Sequence, residues 1–199
     1  MSFVFLVLLA VTFTPLADTV KMGQANIFIL FLLTVALVKS SGLALGIASM
    51  TKMSPALLVF QWAVQKRWVL VLRCVLIAVL VSIVVLPFIG LENQIYFYQK
   101  VLPGFSSGQY HGLNIPINIP ANHSIPDLYN QIWPGETQKS LSVTAKHFSF
   151  VTNMLLLLSL LWLSFKWRAK QVRCYLEGAM ICMMIVFPVY CYEHHLALL

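Results

Sequence analysis

Long apolar runs constrain this chain more than any other feature, because each needs either a buried core or a lipid solvent. They lie at Ser2–Ala17, Ala25–Val38, Gly42–Val64, Val69–Phe88, Phe148–Phe165 and Cys174–Tyr190. A helix needs about 20 residues to cross hydrocarbon, and about 17 at the short limit. Val69–Phe88 meets that length, Phe148–Phe165 and Cys174–Tyr190 come close, and the first two runs are short. Charged residues are 10% of the chain and apolar ones 60%, whereas soluble domains carry about 25% charge. The expectation is an all-α, polytopic membrane protein. With no polar linker to divide it, residues 1–199 form a single membrane domain.

The third run is interrupted by Lys52-Met53-Ser54-Pro55. Proline removes a backbone donor and disfavours helix in the residue before it. A lysine at the same break is costly in hydrocarbon unless it faces a polar cavity. The segment is therefore one kinked helix or two short helices, and charge placement favours the second. Lys66, Arg67 and Arg73 precede or open the fourth run, and Lys166, Arg168, Lys170 and Arg173 separate the fifth from the sixth, with no acidic residue among them. Two crossings and a loop lie between the clusters, so they share a face, cytoplasmic by the positive-inside tendency. The net charge of +7 thus reads as membrane orientation, not as a nucleic-acid surface. If Lys39 is cytoplasmic too, the third run goes out and returns, which places Lys52 near the outer surface.

The loop at about 89–146 is then outside the membrane. Its prolines, glycines and interspersed aromatics suit a structured surface loop, with short helices expected at Gln94–Val101 and Ser124–Trp133. The four cysteines, Cys74, Cys174, Cys182 and Cys191, form no CxxC pair, so they read as packed apolar thiols and not as a zinc or redox site. Ser2–Leu16 lacks a basic lead and a good cleavage site, so it reads as a membrane helix and not a signal peptide.

Four polar features interrupt the apolar sequence. Gly23-Gln24-Ala25-Asn26 either caps a helix through its asparagine or lines a cavity. Gly42–Pro55 carries small residues suited to close helix packing, and its Lys52 can snorkel or bind an anion such as phosphate. Asn122-His123-Ser124 can bond a sugar or phosphate, or can form a turn that caps the next helix. Tyr192-Glu193-His194-His195 lacks the i, i+4 spacing of helical zinc motifs, so no metal is expected there and a phosphate or proton contact fits better. The charge-derived topology gathers all four at or just beneath the outer face.

The ordered series GQAN, SGLALGIASMTKMSPALL, QKRW, ANHSIPDLYNQ and YEHHLALL resembles the polyprenyl-phosphate-dependent glycosyltransferases of family 87, which include bacterial and mycobacterial mannosyltransferases. The resemblance runs from about Gly23 to Leu199. It implies the C-type glycosyltransferase (GT-C) fold in a multi-pass protein of the bacterial plasma membrane. It implies a sugar, mannose in many members, taken from a polyprenyl-phosphate donor on the non-cytoplasmic side and passed to a lipid or glycan acceptor, with no cofactor. In that scheme Lys52 and His195, with His194, stabilise the departing phosphate. Gln24 and Asn26 line the cavity, and Asn122 and Ser124 close it. The family's catalytic aspartate belongs to a first outer loop that this chain does not match, and Asp18 does not fit that context. The expectation is a C-terminal portion of such an enzyme. A transporter or flippase-like protein, or an inactive remnant, are the alternatives; no inverted repeat favours the transporter.

Overall fold

The computed structural model describes residues 25–101, 122–137, 140–167, 170–188 and 191. Among these there are helices and no strand. The apolar run Ser2–Ala17 lies outside the described residues. Helix α1 is Asn26–Val38, α2 is Gly42–Thr51, and a 3-10 turn at Ser54–Ala56 leads into α3, Leu57–Val64. The long α4, Trp68–Ile89, is followed by α5, Leu91–Tyr96, and a π turn at Phe97–Val101. Then come α6 (Ile125–Ile132), α7 (Val143–Lys166) and α8 (Lys170–Val186). The helix expected at Gln94–Val101 therefore starts earlier, immediately after Gly90, whose φ of 77° ends α4 at a conformation glycine adopts without a Cβ clash.

The third run is two helices, because the backbone turns extended at Lys52 and Pro55 opens the 3-10 turn. The ends of this hairpin are fixed by contacts. Ser40, in the α1–α2 turn, accepts from Arg67 Nη2 at 2.8 Å, so both connections lie at one end of the bundle. Each is built the same way. Ser40 and Lys66 sit at φ 51° and 62°, and the following amides reach back to Ala36 O and Trp62 O at 2.9 Å. This is the Schellman closure, here without its usual glycine.

Helix α2 lies against the first half of α4 through its small residues. A Cβ on Gly42 would collide with Leu70 O and stand 2.9 Å from Arg73 Cβ. One on Gly46 would stand 2.9 Å from Cys74 O and Ile77 Cβ. The register advances in the same direction on both helices, so α2 and α4 run parallel, and Lys52 comes level with the middle of α4. Ten residues of α2 span about 15 Å, whereas the 22 of α4 span about 33 Å. The break is thus half-way along α4 and not at its far end, because α2 is too short to run its length. Replacing Gly46 by valine is expected to cost about 1–3 kcal/mol by overpacking, seen as a lower melting temperature in detergent.

Helices α4 and α7 are long and apolar enough to cross a membrane. Only 6% and 17% of their most apolar windows are buried within the chain. A core helix of a soluble protein would be mostly covered, so these faces suit lipid or further helices. The internal core is instead built from Leu33, Leu45, Leu58, Trp62 and Met180 on α1, α2, α3 and α8. Cys74 and Cys191 are buried, as expected of packed thiols, but Cys174 and Cys182 are exposed. Those two lie on the side of α8 turned away from the core.

Candidate functional site

Two polar layers cross this apolar bundle, separated by the length of α2. The lower one lies at the end where the α1–α2 and α3–α4 turns meet. Glu177 of α8 accepts from Arg67 Nη1 at 2.9 Å and from Trp62 Nε1 at 3.2 Å, both on the same oxygen. The Arg67 guanidinium also lies 4.7 Å over the Trp62 ring. Beside it Gln61 Nε2 donates to Ser164 Oγ of α7 at 3.0 Å. This layer is structural. It accounts for the arginine of QKRW through packing.

The upper layer brings together three of the four polar features named from the sequence. Lys52 Nζ donates to Asn26 Oδ1 at 3.1 Å across the α1–α2 pair. Asn26 is 1% exposed and is the first residue of α1, while the N-cap is Ala25 with no side-chain cap bond. The capping role weighed for Asn26 is therefore replaced by a buried contact to Lys52. Asn122 is also buried, and its Oδ1 accepts from Cys191 N at 2.9 Å. His123 N donates to Cys191 O at 2.8 Å. These paired bonds clip the Asn122–His123 stretch of the loop onto the segment after α8. Lys52 and Cys191 lie near one another, which joins the two halves of the layer.

Ser124 takes the turn-forming role. Its hydroxyl accepts from Asp127 N at 3.1 Å and caps α6. Asp127 is fully buried, with Oδ2 accepting from Gln131 Nε2 at 2.8 Å and no partner for Oδ1 among the described residues. Burial pushes its carboxyl above the usual value, against the opposing pulls of Gln131 and the nearby His123. Helix α6 is held on the upper half of α7 by the Tyr129 hydroxyl to Thr152 Oγ1 at 2.7 Å. The stacked rings of Tyr129, Trp133 and Phe148 brace the same junction. From lower on α7, Asn153 Nδ2 reaches Phe187 O at 3.3 Å, which fixes the exit of α8 beneath Cys191.

Gln24, His194 and His195 lie outside the described residues, as does Asp18. Sequence reasoning missed Cys191 as a hub, since its contribution is its backbone N–H and C=O, which no side-chain pattern reveals. It also missed Glu177, which stands four residues beyond the basic cluster. Among the described residues no group of three or more His, Cys, Asp or Glu is placed to hold a metal ion.

Chemically, the upper layer offers an ammonium with three N–H donors, one of them committed to a buried amide. Around it are backbone groups and two amide side chains on separate elements. A cation held by neutral dipoles at a break between apolar helices is suited to a compact anion in a setting of low polarity. A family model described as "Glycosyltransferase family 87" matches residues 1–189 of the chain. No curated protein and no solved structure matches it.

Proposed function

The chain belongs to glycosyltransferase family 87 and is a membrane glycosyltransferase; on that premise we propose that it moves a hexose, mannose by this reading, from a polyprenyl-phosphate donor to a lipid or glycan acceptor. The reaction takes place on the non-cytoplasmic face of a bacterial plasma membrane, on a GT-C scaffold. The observation that supports this most is the contact of Lys52 with buried Asn26, beside the clip of Asn122 onto Cys191. A lipid-linked donor brings its phosphate to the bilayer, and this polar layer stands against the middle of a helix long enough to cross it.

In this mechanism the acceptor hydroxyl attacks the anomeric carbon, a carboxylate takes its proton, and the lipid phosphate leaves with inversion. Lys52 stabilises the charge gathering on the leaving phosphate, and its effect is greatest where water is excluded. His195 and His194 act on the same phosphate from the segment after Cys191. Asn26 orients Lys52, Gln24 lines the cavity beside it, and Asn122 with Ser124 shapes its cover. Ser124 does so indirectly, by starting α6 at a fixed angle.

The test is a transfer assay with labelled polyprenyl-phosphate-mannose in membranes carrying the complete protein. Label is expected in a lipid or glycan product only when the lipid-linked donor is supplied. Equal labelling from a soluble nucleotide sugar, with no dependence on the lipid-linked donor, would defeat the proposal. Transfer of another hexose from the same carrier would remove mannose and leave the rest.

A further inference from the structure

The lower end of the bundle carries charges that the internal ion pair does not use. Glu177 is the one acidic residue at that end among those described, and it is consumed by Arg67 and Trp62. Lys39, Lys66, Arg73 and Lys166 remain exposed there. They come from three connections separated in sequence, and the contacts Arg67–Ser40, Arg67–Glu177 and Gln61–Ser164 bring those connections to one level. Exposed indoles accompany them. Trp68 opens α4 at 61% exposure, and Trp162 and Trp167 close α7 at 58% and 48%. Lys166 Nζ lies 5.1 Å over the Trp162 ring, one turn back along α7, a cation–π contact between the two.

We propose that this basic-aromatic rim is a binding surface for the headgroups of anionic phospholipids in the leaflet at this end. The two long helices leave the rim with their apolar faces open, including Leu72 and Leu76 on α4 and Leu155 and Leu158 on α7. An occupant must therefore place a negative charge at the rim and an apolar body along the helices immediately above it. A phospholipid has that shape, whereas a soluble polyanion has no apolar part to cover those faces. Trp side chains settle at the headgroup level, and each basic residue near the surface strengthens attraction to an anionic leaflet about fivefold. The inference rests on the membrane reading alone and is independent of the sugar donor.

The experiment uses the full chain in lipid nanodiscs and compares spin-labelled phosphatidylglycerol with spin-labelled phosphatidylcholine for association with the protein. The unmodified chain is expected to prefer phosphatidylglycerol about fivefold or more, with the preference shrinking in high salt. The triple variant Lys66→Gln, Arg73→Gln, Lys166→Gln is expected to lose that preference. The pair Lys100→Gln, Lys146→Gln, away from this end, is expected to keep it, and millimolar inorganic phosphate is expected not to compete. Equal association of the two lipids with the unmodified protein overturns the proposal without any variant. Displacement by phosphate alone, or loss of preference in the Lys100/Lys146 pair, overturns it as well.

Discussion

Glu177→Ala is expected to remove about 3–5 kcal/mol of stability, the usual cost of stripping one partner from a buried ion pair. Against a total of about 5–15 kcal/mol that is enough to unfold much of the population. One carboxylate oxygen accepts both from Arg67 and from the Trp62 indole. Arg67 in turn holds Ser40, so the cluster ties α8 to both tight turns. Removing the carboxylate leaves the indole N–H without its acceptor and the guanidinium, still bonded to Ser40, without its counter-charge on a largely apolar bundle. Their desolvation, more than the lost attraction, sets the cost. Glu177→Gln keeps an acceptor and loses only charge, so its cost is expected to be smaller, about 1–3 kcal/mol. The double change Arg67→Met, Glu177→Leu is expected to recover most of the loss, because an apolar pair of similar volume leaves nothing unpaired. Reversible unfolding in mixed detergent measures all three. A double variant no better than Glu177→Ala would show that the pair is needed for the fold itself.

The apolar helices were legible because membrane spans announce themselves by length, and the runs at Val69–Phe88 and Phe148–Phe165 match α4 and α7 to within a few residues. The break at Lys52–Pro55 was legible too, since proline acts on the local backbone whatever surrounds it. Ser124 as a cap and Gly42 with Gly46 as a packing face follow from equally local rules. The Arg67–Glu177 pair was not legible, because its partners stand 110 positions apart and Glu177 was hidden inside an apolar run. Asn26 misled for a related reason. Its local preference is to cap, but Lys52, 26 positions on, claims its oxygen and leaves Ala25 as the cap. The depth of the break also escaped the sequence. Charge counting assigns sides, whereas depth depends on the register of α2 against α4, which the two glycines set only once the helices are seen packed.

Lys52→Ala is expected to lower the rate of sugar transfer about 10²–10³-fold, the loss seen when one preorganised group facing developing charge is removed. The expectation follows from the position of Lys52 and not from its charge alone. It is half-buried at a break, with its ammonium directed by a fully buried amide, so it stands oriented before substrate arrives. Such a group acts mainly on the leaving phosphate, whose negative charge grows as the glycosidic bond breaks, so kcat should fall more than KM rises. Lys52→Arg retains the charge but changes its shape and reach, and intermediate activity is expected. Asn26→Ala should cost less, about tenfold, because it frees the lysine without deleting it. A purely structural Lys52 predicts the reverse pattern: a fold weakened by Lys52→Ala, with the surviving folded fraction transferring sugar at full rate. Measuring turnover per folded molecule, by normalising transfer in membranes to protein that resists limited proteolysis, separates the two. Full turnover in the Lys52→Ala variant would end the phosphate role and leave Asn26 and Lys52 as a packing contact.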